Sequence, residues 1–157
     1  MDSADLFSKL ELLEGAWAGS GFGQFPAIPA FNYDETIRFS IDHSRKIILY
    51  EQKTFLKEER RNSHWEAGFI LLDAEAPGKI KVNNVQSGGR VEIMEGWFEA
   101  GKLILQTIQF FNDVRMITAK RIWQWTDTVF TYEMHMHTSS SAVQLIHLAA
   151  SLTKNKF

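Results

Sequence analysis

The chain contains no cysteine. Disulfide staples, thiolate nucleophiles and cysteine-ligated metals are therefore excluded, and any metal or cofactor must rest on histidine, carboxylate, hydroxyl or thioether groups. Proline is scarce, with three in 157 residues, and opposite charges nearly cancel, leaving a net charge of −2. No basic footprint asks for nucleic acid or an anionic membrane. No apolar run reaches the ~18 residues of a membrane-spanning helix. The opening MDSADLFSKLELLEG is acidic and amphipathic, unlike a signal peptide, which gives a cytoplasmic expectation. No P-loop or dinucleotide fingerprint is present, and the serines at 139–141 have no evident base beside them. At 45% hydrophobic composition the chain suits a single domain over 1–157.

What is there reads as strands. Leu6, Leu10 and Leu13 recur at helical spacing and Gly15 can stop that segment, so one short helix is expected over 5–13. About ten runs rich in β-branched and aromatic residues follow, near 16–23, 34–41, 46–55, 63–72, 78–85, 89–98, 102–110, 113–124, 128–137 and 143–152. Hairpin-length gaps such as EAPG, SGG, EAG and TD separate them. No second helix offers a parallel crossover. An all-β, antiparallel meander closed into a calycin- or lipocalin-like barrel follows, since closure removes exposed edges. Slightly more than eight strands leaves room inside for one ligand.

The segment GAWAGSGFGQFPAIPAF, residues 15–31, is dense in glycine around Trp17. Trp17, Gly19 and Gly21 share a strand face, and glycine there signals close approach or sharp bending. Trp17 reads as a plug at one barrel end. FPAIP is expected to leave the ladder, because Pro26 and Pro29 cannot donate to it, and to border a ligand mouth.

These residues resemble the nitrobindin family, heme-binding barrels of fatty-acid-binding-protein-like shape. GAWAGSG is similar to its GxWxGxG signature, and FPAIPAFNYDE to the Tyr-Pro-Thr-Ile-x-x-Phe-x-Tyr segment that follows. The likeness continues through ILYEQKTF, HWEAGFILL, GGRVEIMEG, YEMHM and QLIHLAASL, in order, over almost the whole chain. It implies one heme b per chain, with His147 as the proximal ligand of the iron and His64 on the distal side. It implies Ala27 and Ile28 at the heme as well. A neutral imidazole, its second nitrogen tied to a carbonyl or water, is what that ligand requires.

Periodicity adds its own expectations. Val143, Leu145, His147, Ala149 and Ser151 should share the inner face. Gln144, Ile146, Leu148, Ala150 and Leu152 would then form an apolar outer face, covered by the helix or by a second copy of the chain, so a homodimer is one of two expectations. Trp65, Ala67, Phe69 and Leu71 form the more apolar face of their strand, which points His64 outward with Glu66 unless a bulge or Gly68 turns it in. His135 and His137 fall with Glu133 on a polar stripe. That spacing suits a metal, yet Phe130, Tyr132, Met134 and Met136 make the core side, with Met134 and Met136 expected to line the cavity.

Two departures from the family concern the heme propionates. Ala27 stands where relatives carry threonine, and Asn112 where they tend to carry lysine. Lys120 and Arg121 are the candidate cations at the mouth. The activity implied is nitric oxide binding and isomerisation of peroxynitrite to nitrate. The alternatives are a heme or nitric oxide carrier without turnover, and a barrel for a lipid or other apolar molecule without iron.

Overall fold

The computed structural model describes residues 1–141 and 145–155. Helix α1, Ser3–Glu11, is capped by Asp2, whose carboxylate accepts from the backbone N–H groups of Ala4 and Asp5 at 2.8 Å. Ten strands follow: β1 Gly15–Phe25, β2 Ile28–Asp42, β3 Ile47–Leu56, β4 Arg61–Leu72, β5 Lys79–Gln86, β6 Val91–Glu99, β7 Lys102–Phe111, β8 Met116–Trp125, β9 Val129–Thr138 and β10 Leu145–Lys154. Every strand pairs antiparallel with its sequence neighbours, and β1 pairs with β10 to close the barrel. The short turns explain the meander. At the β6–β7 hairpin Ala100 and Gly101 both take positive φ, 49° and 77°, between the paired Glu99 and Lys102, the twist that matches two-residue hairpins.

One end of the barrel is packed solid. Leu6, Phe7, Leu10 and Leu13 of the helical segment are buried with Trp17, Phe39, Trp123 and Phe130 in one cluster. Trp17 is fully buried and its indole N–H donates to the Leu13 carbonyl at 2.8 Å. The helix thus closes the barrel end rather than covering an outer face. A β-carbon at Gly19 would stand 2.1 Å from the Ser151 carbonyl oxygen, and one at Gly21 would stand 2.3 Å from the Tyr33 ring. Glycine at these two positions lets β10 and the Tyr33 ring approach the β1 backbone.

Three expectations are corrected. FPAIP does not leave the ladder: Phe25 pairs with Ile28 across a tight turn, and Pro29 lies within β2. Proline is tolerated there because β3 first pairs with β2 at Asp34, leaving the other edge of the hairpin tip open. In β4 the inner face is His64, Glu66, Gly68 and Ile70, while Trp65 and Phe69 are 46% and 49% exposed. In β10 a register shift between Ile146 and Leu148 places His147 inward and passes the inner face to Ala150 and Leu152. Of the apolar outer face behind the homodimer expectation, Ile146 is exposed as expected, but Ala150 and Leu152 are buried inside the barrel. Val143 and Gln144, invoked for the two faces, lie outside the described residues.

We expect Gly19→Ala to cost about 1–3 kcal/mol in urea unfolding, as overpacking against a backbone carbonyl does. Gly88→Ala, where nothing lies within 4 Å of the added carbon, should leave the midpoint nearly unchanged.

Candidate functional site

The end of the barrel opposite the helix is hollow. A cavity of about 970 Å³ opens between the β1–β2 tip and the segment 112–116. β7 and β8 pair only from Leu103–Trp123 to Gln106–Lys120. Beyond that the two strands part, and Asn112, Asp113, Val114, Arg115 and Met116 line the mouth.

One wall is apolar and carries a histidine. His147 is only 2% exposed yet lines the cavity, among Phe25, Phe31, Met134, Met136 and Leu148. Its ring lies 5.0 Å from that of Phe25. Nδ1 is 2.7 Å from the Leu145 carbonyl oxygen. A carbonyl can only accept, so Nδ1 carries the hydrogen and the neutral ring keeps its lone pair on Nε2, the nitrogen available to a metal. The β10 bulge brings the Leu145 carbonyl and the imidazole together.

The opposite wall is polar. Arg121 of β8 reaches across to Glu66 of β4, with Nη1 and Nη2 on its two carboxylate oxygens, and Nη2 lies 3.6 Å from Glu92. Arg90 pairs with Glu92 at 3.0 Å and with Asp113 at 3.5 Å. Burial pushes the Glu66 carboxyl up, but Arg121 and His64 outweigh it and hold the group well below the usual carboxylate range. His64 sits at the rim of this wall. Its Nε2 is 3.0 Å from Glu66 Oε2, and the Thr54 hydroxyl both accepts from its backbone N–H and donates to its carbonyl. Deeper in, Tyr33, Gln52 and Tyr132 line the cavity around the carboxyl of Glu35.

The structure therefore gathers His147, His64, Ala27, Ile28, Met134 and Met136 around one cavity. Leu145 and Lys120 do not join them. Leu145 is 45% exposed, displaced by the bulge that turns His147 in. Lys120 lies on the outer side, between the inward Ala119 and Arg121. Arg121 is not a mouth cation but a buried member of the polar wall. The cations that border the mouth, Arg90 and Arg115, were not anticipated. Asn112 takes a left-handed φ of 62° and donates to the Gly89 carbonyl at 3.1 Å, a backbone role suited to asparagine. His135 faces away from the cavity and bonds Glu133 at 3.0 Å. Glu35, Gln52, Gln86 and Glu92 were also missed. Their one signal was placement: Glu35 alternates in phase with Tyr33, Ile37 and Phe39, so a carboxylate shares the core face.

A closed antiparallel barrel with one plugged end, and one hollow end bearing a buried and oriented histidine, defines a calycin-like small-molecule-binding protein. Residues 7–154 match the family described as THAP4-like, heme-binding beta-barrel domain, and the chain belongs to that family. The nitrobindin resemblance agrees with this. Among relatives, a protein named peroxynitrite isomerase Rv2717c from Arabidopsis thaliana is 34% identical over 94% of this chain and 87% of its own length. Peroxynitrite isomerase from Mycobacterium leprae is 28% identical over 98% and 99% of the two chains. The crystal structure of Rv2717c from M. tuberculosis superposes with a TM-score of 0.83 at 22% identity, covering 99% of this chain and all of that one. Among the described residues no helix is long and apolar enough to cross a membrane.

Replacing Glu66 with glutamine strands a guanidinium that is 3% exposed. Glu92 remains nearby, so a loss of about 3 kcal/mol is expected in urea unfolding, the lower end for breaking a buried pair. The pH dependence has a definite sign. A carboxyl held below its unfolded value stabilises above the unfolded pKa and ceases to as pH falls. Wild-type stability should therefore decline below about pH 4 more steeply than that of Glu66→Gln, by thermal unfolding across acid pH.

Proposed function

We propose that the chain binds one heme b in this cavity, with His147 as the axial ligand of iron, and that the loaded protein binds nitric oxide and isomerises peroxynitrite to nitrate. The observation that carries the reading is the buried imidazole with Nδ1 tied to the Leu145 carbonyl in the wall of a large cavity. Membership of a heme-binding family, and relatives named peroxynitrite isomerase, support it.

The residues present fit such a group. Nε2 of His147 is the basic nitrogen, and Met134, Met136, Phe25 and Ile28 provide apolar, adaptable surface for a flat macrocycle. Ala27 offers no hydroxyl to a propionate, so the cations left to meet the two carboxylates are Arg90 and Arg115 at the mouth. Ferric heme, when bound, supplies a Lewis-acidic iron with an open position at which the O–O bond of peroxynitrite can be polarised. The chain's own part is to orient the imidazole, to set the Phe25 ring beside it, and to present polar groups from the opposite wall. His64 is held by Glu66 through Nε2, which in the neutral ring leaves Nδ1 as an acceptor.

The test is a visible-absorption titration with ferric heme on wild type and His147→Ala. A saturable one-to-one Soret band, abolished or strongly shifted by the substitution, is expected. Identical unsaturable spectra from both proteins would overturn the iron site and favour an apolar ligand. Stopped-flow decay of peroxynitrite then separates an isomerase from a carrier, since only the former accelerates nitrate formation. His64→Ala should keep the Soret band and slow that decay by about 100-fold, the low end for a positioned proton-transfer side chain.

A further inference from the structure

Glu35 sits on β2 at 2% exposure, and among the described residues it forms no ion pair. Oε1 accepts from the Tyr132 hydroxyl at 3.1 Å and from the Gln52 side-chain amide. Oε2 is buried with no hydrogen-bond partner. A carboxylate with one bare buried oxygen and no cation of its own carries a large desolvation cost, and a proton on the carboxyl removes the charge. Charged and titratable groups around it do not supply the missing partner. Arg121 on β8 is the nearby guanidinium; its Nη groups are committed to Glu66 and Glu92, and its buried Nε makes no hydrogen bond to Glu35. Glu66 on β4 repels. Tyr33 on the same strand and Tyr132 on β9 stay neutral, their hydroxyls pushed up chiefly by burial. Gln52 of β3 carries no charge, and Gly19, opposite in the β1 ladder, adds none. Burial, with a smaller push from Glu66, raises the Glu35 carboxyl to about 8 against the bonds from Tyr132 and Gln52.

This acid is also connected to the cavity. Tyr132 Oη lies 2.8 Å from Tyr33 Oη, and Tyr33, Gln52 and Tyr132 all line the hollow.

We propose that Glu35 is a proton-exchanging acid serving the cavity, coupled to the bound ligand through the hydroxyls of Tyr132 and Tyr33. When the carboxyl is ionised, a proton from cavity water or the ligand moves to the Tyr33 oxygen, the Tyr33 proton to Tyr132 and the Tyr132 proton to Oε1, the direction in which Tyr132 already donates; the reverse sequence returns it. A ligand that displaces water and carries carboxylates strengthens the hold of Glu35 on its proton, so loading at mildly alkaline pH takes a proton up. The proposal rests on the cavity accepting heme, and it specifies the proton chemistry that accompanies loading.

Infrared titration of the unloaded protein reads the acid directly. Wild type should show the C=O band of a protonated carboxyl that fades around pH 8. The band should be absent from Glu35→Gln. In Tyr132→Phe it should persist but shift, because Oε1 loses a donor. Calorimetry of ferric heme binding near pH 8, in buffers of different ionisation enthalpy, should then give wild type a proton uptake up to about half a proton larger than that of Glu35→Gln. No such band in wild type, an unchanged band in Glu35→Gln, or equal proton counts in the two proteins would overturn the proposal. Failure of the heme reading shows separately, as missing binding heat in wild type. That result removes the coupling to heme, and the band read without ligand still decides whether Glu35 carries the proton.

Discussion

The Glu66–Arg121 pair spans the interior from β4 to β8, two strands that are not neighbours in the sheet. A ten-stranded barrel encloses more space than one layer of side chains fills, so something must divide its interior. Toward the helix, Tyr50 donates to Glu66 and lies over the aromatic cluster of Phe39 and Trp123. Toward the mouth the same pair lines the cavity. The ion pair is thus the boundary between a packed half and a hollow half. The Glu66 oxygens are met by Arg121, His64 and Tyr50 and the Arg121 Nη groups by Glu66 and Glu92, while Arg121 Nε is buried without a partner; the mutual pairing is what makes two buried charges tolerable there.

That boundary gives the two walls of the cavity different chemistry. The β9–β10 wall has methionines and an imidazole whose direction is set by a backbone carbonyl. The β4–β8 wall has fixed charges whose mates are already assigned, so it offers dipoles and hydrogen bonds rather than net charge. A flat apolar ligand with an electron-poor centre suits the first wall, and a small polar ligand suits the space beside the second. The aromatic column Phe25, Phe31 and Tyr33, with neighbouring rings 6.0–6.1 Å apart, runs between the two.

Legibility in the sequence followed how local each feature is. The meander was readable because short turns and alternating runs are encoded within a few residues. β9 was readable face by face, since its core side is uniformly apolar. β4 misled, because the charged interior inverts the usual rule: Glu66 faces in, while Trp65 faces out beneath the Lys53 ammonium, 4.6 Å from its ring centroid. β10 misled for another reason. A single bulge at His147 shifts the phase, and bulges leave no reliable mark in composition. His64 and His147, which the family resemblance assigns to one site, both line the cavity, because a resemblance carries register across such irregularities. It did not extend to Lys120 or Leu145, where alternation and the same bulge set the side chains outward.

The interior carboxylates make the same point energetically. Glu66 and Glu92 have guanidinium partners, and Arg121 with His64 holds the Glu66 carboxyl well below the usual carboxylate range. Glu35 lies within the field of the same Arg121 but obtains no bond from it: the two Nη groups face Glu66 and Glu92, and the buried Nε has no partner. Moving charge onto Glu35 would require either a second cation or the loss of the boundary pair. The ion pair that organises the barrel therefore also leaves one acid beneath the cavity without a counter-ion. A protonated Glu35 is the consequence of a satisfied Glu66, not an independent feature of the site.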